Sequence, residues 1–268
     1  FDRDLLLIFL AIISKCMNLE VDEKWLETFI GNNYVSDLLD FYSDDDDDIN
    51  LHIAWSLAGI SGSSKKISNI LFKMHIFEFF GRNFLKTNDD QIKSLFIRTT
   101  SNLLMTDDST EMNYINGFTN SQFFNDILSV FDDSILKLKK EIIILISYLV
   151  KRLDRSFVKP FVELGLIRLY IDALYLDESL KIKKFAIHAI AHIIRIYELL
   201  NPSEEGQVLS NDDSLAQLIE IILGDKDLIN AIDYYVDEYA QTEPTKEQME
   251  AEHIRHALYH FNNYDQYV

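Results

Sequence analysis

The sequence predicts an all-α protein, a right-handed superhelical solenoid of five to six three-helix repeats. Three observations predict it. Glycine and proline are scarce, 8 and 3 in 268 residues, well under average usage, and a chain with so few turn residues is mostly helix. A five-residue signature recurs: Leu136-Lys137-Leu138-Lys139-Lys140 returns as Leu180-Lys181-Ile182-Lys183-Lys184, a displacement of 180 − 136 = 44 residues. Both copies follow an acidic turn, Asp132-Asp133-Ser134 and Asp177-Glu178-Ser179, and both open an apolar stretch at helical spacing, as in Ile182, Phe185, Ala186, Ala189 and Ile193.

The frame extends upstream, where Leu138 matches Ile92 at 46 residues back and Ile92 matches Ile49 at 43 back. Each period reads as a short helix, a tight break, a middle helix, an acidic turn and a long third helix. The long helices are expected at roughly 1–17, 48–61, 89–105, 135–153, 179–200 and 226–241. Gly165 stands where the first short helix of its repeat must stop, after Val158-Lys159-Pro160, and Gly31 stands at the matching place. A left-handed residue commonly ends a helix there, and glycine adopts it without a Cβ clash. No such unit can bury its own apolar face, so the units must stack. The array is assigned to residues 1–241. From 242 the period lapses: after Pro244, Lys246 to Phe261 reads as one amphipathic helix with Ala251, Ile254, Leu258 and Phe261 on its apolar side. Residues 242–268 are therefore expected to be a capping helix and tail, or else a docking helix for another protein.

Charge narrows the partners. With 44 acidic and 25 basic residues the formal net charge is −19, which opposes nucleic-acid and anionic-membrane binding, since phosphates are gripped by surplus Lys and Arg. The single cysteine, Cys16, excludes an intrachain disulfide and points to a reducing, intracellular compartment. No apolar run reaches about 18 residues, so no membrane span is expected, and a start at Phe1 suggests a fragment of a longer array. The charge is uneven: Asp44–Asp48 precedes a third helix, where carboxylates meet the positive helix N-terminus. The two lysine clusters, by contrast, should form a local basic stripe.

Catalytic signals are weak. His188 and His192, four apart on one helix face, could share a metal, but the metalloprotease pattern needs Glu after the first His and Ala189 stands there. His253, His256 and His260, with Glu250 and Glu252 nearby, form the better metal candidate, though a polar helix face accounts for them. Gly59 to Lys65 lacks the spacing of a phosphate loop. The expectation is a protein that is not an enzyme and uses no cofactor or metal.

Units of roughly 40 to 47 residues built from two or three helices are the signature of HEAT and armadillo arrays, and three helices point to armadillo. Ala54-Trp55-Ser56-Leu57-Ala58-Gly59-Ile60-Ser61-Gly62-Ser63 resembles the A-W-x-L-x-N-I-x-x-G third-helix ending of importin-alpha (karyopherin-alpha) repeats. Phe161-Val162-Glu163-Leu164-Gly165-Leu166-Ile167 is similar to the family's V-x-x-G-x-[IV] junction. The resemblance implies a concave groove in which Trp and Asn, four residues apart, grip an extended basic peptide. Carried onto this chain, those positions are Phe9 and Ile13, Trp55 and Gly59, Arg98 and Asn102, Ile144 and Tyr148, His188 and His192, and Ile232 and Val236; only Trp55 and Asn102 match in type. The candidate groove residues are Trp55, Arg98, Asn102, Tyr148, His188 and His192. The implied role is a divergent importin-alpha-like nuclear import adaptor in cytoplasm and nucleus, with a basic localisation signal and importin-beta as partners. Alternatives are a scaffold for a co-chaperone or cytoskeletal partner, and a helical-repeat RNA binder, which would need base-reading residues in every repeat.

Overall fold

A computed structural model describes residues 2–17, 23–31, 33–63, 65–105, 111–131, 133–152, 167–175, 180–200, 222–238 and 245–264. Among these, every regular element is a helix. In chain order they are α1 (Arg3–Met17), α2 (Glu23–Gly31), α3 (Tyr34–Asp40), α4 (Asp47–Ser61), α5 (Lys65–Lys73), α6 (Ile76–Asn83) and α7 (Asp90–Met105). Then follow α8 (Glu111–Thr119), α9 (Gln122–Ser129), α10 (Leu136–Arg152), α11 (Ile167–Leu174), α12 (Leu180–Leu200), α13 (Lys226–Glu238) and α14 (Lys246–Tyr264). The third helices predicted from the period are α1, α4, α7, α10 and α12.

Local chemistry sets the boundaries. Asp46 caps α4, its carboxylate accepting from the Ile49 amide, and the Asp89 carboxylate accepts from Gln91 N at 2.6 Å at the start of α7. These aspartates satisfy amides that a helix start leaves without partners. The break between first and second helices is made by a left-handed residue, Asn33 (φ 63°) before α3 and His75 (φ 56°) before α6. Asn and His are among the non-glycine types that tolerate this conformation. In the next repeat Ser121 caps α9 from an extended backbone instead. Gly31 is the last helical residue of α2, and the left-handed residue expected there is instead Asn33, two positions on; Pro160 and Gly165 lie outside the described residues.

The chain divides into two compact units, Phe1–Leu145 and Ile146–Val268, with the division inside α10. In the first, third helices lie side by side, α1 on α4 and α4 on α7, while the second helix α6 packs on α9. Its centre is aromatic: Phe80 stacks on Phe96 at 4.4 Å between ring centroids, and Phe123 meets Phe80, Phe84 and Phe118 at 5.2 to 5.9 Å. Such pairs add about 0.5–1.5 kcal/mol each beyond the area they bury. In the second unit α11 packs on α12, and Ile146, Leu149, Ile171, Ala186, Ala189, Ile190 and Ile193 are buried together with the rings of Tyr170 and Tyr235.

The end of the array departs from the expected register. Residues 226–241 were expected to form a third helix, but α13 packs on the second helix α11, as α9 does on α6, and α14 packs on the third helix α12, as α7 does on α4. By their partners, α13 stands at a second-helix position and α14 at a third. Chain length explains the slip. A third helix is followed by the next second helix after 76 − 47 = 29, 122 − 90 = 32 and 167 − 136 = 31 residues, but from α12 to α13 the interval is 226 − 180 = 46. The extra length is close to one short helix and its turn, so a period counted from anchors lands one helix early.

Candidate functional site

Trp55, Arg98 and Asn102 belong to the first unit, and Tyr148, His188 and His192 to the second. Trp55 is half-buried on α4. Four residues on, Gly59 abuts the end of α1: a Cβ built there would lie 2.6 Å from the Met17 carbonyl oxygen. No amide side chain can stand at that place, so the Trp-Asn pair cannot be completed on α4. Glycine is there to let two helices approach closely.

On α7, Asn102 points back at the end of α4. Its Nδ2 donates to the Ala58 carbonyl and to Ser61 Oγ, each at 3.1 Å. It thereby adds a second donor to a helix-end carbonyl that also accepts from Ser61 Oγ at 3.0 Å. One turn earlier, Arg98 forms an ion pair with Glu141 of α10, keeping 42% of its side chain exposed. Arg98 and Asn102 thus tie third helices together, and Arg98 retains the larger accessible surface.

In the second unit Tyr148 meets the edge of Phe185 at 5.6 Å. His188 Nδ1 is hydrogen-bonded to the Glu250 carboxylate, which also accepts from Arg195 Nη2 at 3.3 Å, and Lys184 pairs with Glu247 at 3.3 Å. Glu247 is held below its ordinary carboxyl pKa by backbone hydrogen bonding and by Lys184, against the opposing effect of desolvation. The carboxylates come from α14. Sequence reasoning missed them because it placed α14 outside the array. His192 lies one turn beyond His188 on α12. Among the described residues no three His, Cys, Asp or Glu side chains gather as a metal site; the side chain of His260 falls outside those residues.

The basic stripe is corrected at Lys183. Lys183 is 0% exposed, its ammonium 3.1 Å from Glu238 and 5.3 Å from the centre of the Tyr234 ring. It bridges α12 to α13 and is not part of a surface. Lys184 is committed to Glu247. The Asp44–Asp48 run is likewise structural: Arg3 of α1 forms a fork on Asp46 at 2.6 and 2.8 Å and reaches Asp48 at 3.2 Å, while Lys86 holds Asp44 at 2.9 Å. Arg3 keeps the Asp46 carboxyl below the usual carboxylate range.

No protein-family model and no curated protein sequence matches the chain. Solved structures do. A designed armadillo repeat protein in complex with the peptide (KR)4 is similar at 15% identity and a TM-score of 0.68, over 94% of this chain and 91% of that one. A second designed armadillo repeat protein reaches 0.70 at 16% identity, over 96% and 94%. Computationally designed armadillo repeat proteins for modular peptide recognition give 0.69 at 14% identity, over 96% and 94%. No described helix is long and apolar enough to cross a membrane. Side-by-side third helices and a likeness spanning nearly the whole chain lead to one conclusion: the protein has the fold of an armadillo-repeat solenoid.

Proposed function

We propose that the protein is a binding scaffold, not an enzyme, that takes an extended peptide segment along its third helices, with α14 closing the array. The observation that carries the reading is the row of third helices α1, α4 and α7, which leaves Trp55 and Arg98 partly exposed on neighbouring helices. The similar designed protein bound to (KR)4 supports it by fold alone. A basic segment suits the net charge of −19, because complementary potential speeds encounter, and an indole such as Trp55 can hold a cation over its face. The finer reading, a divergent importin-alpha-like import adaptor of cytoplasm and nucleus with importin-beta as second partner, rests on the Trp55 motif.

Trp25 and Trp55 are the two tryptophans, so Trp25→Phe leaves Trp55 as the sole reporter. Titration of that variant with an alternating Lys-Arg octapeptide should shift the Trp55 emission with a micromolar midpoint that weakens with salt. In the parent chain, Trp55→Ala should lower the affinity for a fluorescein-labelled copy at least tenfold. An unchanged affinity, or no binding at millimolar peptide, refutes the peptide reading. If the octapeptide binds but importin-beta fails to co-purify and a lysine-rich reporter is not carried into nuclei, only the import role falls.

A further inference from the structure

The second helices of the first unit do not stack evenly. α6 packs closely on α9, and Gly81 allows it: a Cβ built there would lie 3.2 Å from the Phe123 amide nitrogen. α3 is built like α6, each beginning directly after a left-handed residue, Asn33 and His75. Counted from that residue, the sixth position is Gly81 on α6 (81 − 75) and Leu39 on α3 (39 − 33). A leucine there holds apart two helices that a bare backbone would let close. Between α3 and α6 a cavity of about 570 Å³ stands instead, with Leu39, Tyr42, Met74 and Phe79 in its lining. The rings of Tyr42 and Phe79 meet edge to face at 5.2 Å between centroids. Cavities that hold small molecules run from about 300 to 1,000 Å³.

The same cavity carries two charges that do not meet. The seventh position is Arg82 on α6 and Asp40 on α3, matched places on facing walls, and both line it. Arg82 Nε donates to the Glu78 carbonyl of its own helix at 3.3 Å. Among the described residues no carboxylate lies within ion-pair distance of that guanidinium, and no cation within ion-pair distance of Asp40. The other cation of the lining, Lys86, is already held by Asp44 at 2.9 Å. The open charge of the lining is therefore one of each sign. A bare anion does not suit it: the Tyr42 hydroxyl pKa is pushed up by burial first, then by Asp47, Asp44 and Asp89, which marks acidic surroundings. A bare cation would leave Arg82 unanswered.

We propose that this cleft binds a small zwitterion with an apolar body, an amino acid or a short peptide. Its carboxylate meets Arg82, its ammonium meets Asp40, and its body rests on Leu39, Met74 and Phe79. A guanidinium takes a carboxylate as a two-pronged fork, and walls of opposite sign fix which way round the ligand lies. The cleft lies between second helices, apart from the third-helix surface that holds Trp55.

The test is isothermal titration calorimetry on the whole 268-residue chain with leucine, with leucyl-leucine, and with the N-acetyl and C-amide forms of each. At least one of the two zwitterions should bind with a submillimolar Kd, and which of them does tells an amino acid from a peptide. Capping either end should weaken that ligand at least tenfold. Arg82→Gln and Asp40→Asn alter exposed side chains, so each should keep the parent's melting curve and weaken the zwitterion at least tenfold. Arg82→Gln should no longer distinguish the zwitterion from its C-amide form, nor Asp40→Asn from its N-acetyl form, a pattern that damage to the fold would not produce. Trp55→Ala should leave binding intact. The proposal is overturned if neither zwitterion binds at millimolar concentration, or if the capped forms bind as well as the free ones. It is overturned equally if Arg82→Gln and Asp40→Asn bind as the parent does, or if Trp55→Ala weakens the zwitterion as much as they do, which would put the ligand on the third helices instead.

Discussion

Asn102 stands at a position where the resemblance expects a ligand contact, yet its amide closes the end of α4. Asn102→Ala removes both N–H bonds of the amide and leaves the Ala58 carbonyl and Ser61 Oγ with the bond between them, at 3.0 Å. At about 0.5–1.5 kcal/mol per hydrogen bond, the loss is about 1–3 kcal/mol. For a chain of this size that is a fall in Tm of roughly 3–10 °C. The measurement is thermal unfolding followed by circular dichroism at 222 nm, with Trp55 emission of the Trp25→Phe background reporting on the first unit. Ser61→Ala likewise removes two bonds, the one from Asn102 and the one to the Ala58 carbonyl, and should cost a similar amount. Asn102→Asp should cost more, because a carboxylate would face the carbonyls at the negative end of α4. A Tm within 1 °C of the parent for Asn102→Ala, with at least tenfold weaker binding of the Lys-Arg octapeptide, would refute the reasoning by showing that the amide serves ligand and not fold.

Gly59→Ala forces a methyl to within 2.6 Å of the Met17 backbone oxygen, so it should cost about 1–3 kcal/mol as overpacking, read as a lower urea midpoint. Glu238→Gln should destabilise the second unit more than Lys183→Met does, since it leaves a fully buried ammonium without this carboxylate, whereas an apolar isostere of a buried ion pair is often tolerated; urea unfolding of both variants decides it. The Asp46 carboxyl is depressed by Arg3 when folded. Its contribution is therefore complete above the unfolded value of about 3.9 and lost as pH falls through the lower folded one. Melting curves between pH 2 and 7 at low salt should show Arg3→Gln below the parent at neutral pH, with the gap closing under pH 3.

The third helices α4, α7, α10 and α12 were legible in the sequence to within one or two residues of their ends because the signals are local: an acidic cap such as Asp46, then apolar residues on one helical face. The site was less legible. Gly59 reads in a line of sequence as a missing asparagine, and only the approach of Met17 shows why it is glycine. Lys183 sits in a cluster that looks like a surface stripe, yet the buried face of α12 falls on it while its neighbour Lys184 stays accessible. The partners of His188 and Arg195 lie on a helix that a length irregularity between α12 and α13 had displaced from the register.

By itself, the sequence determined the class, the period and most helix boundaries, because helix propensity, capping and hydrophobic spacing act over a few residues. Tertiary structure alone decided which third-helix residues knit neighbours together, as Arg98, Asn102 and His188 do, and which stay open to a partner. Such outcomes depend on which helices stack, and stacking is set by contacts between residues some 40 to 60 positions apart, as in Asn102 with Ala58 and His188 with Glu250, at distances no local pattern encodes.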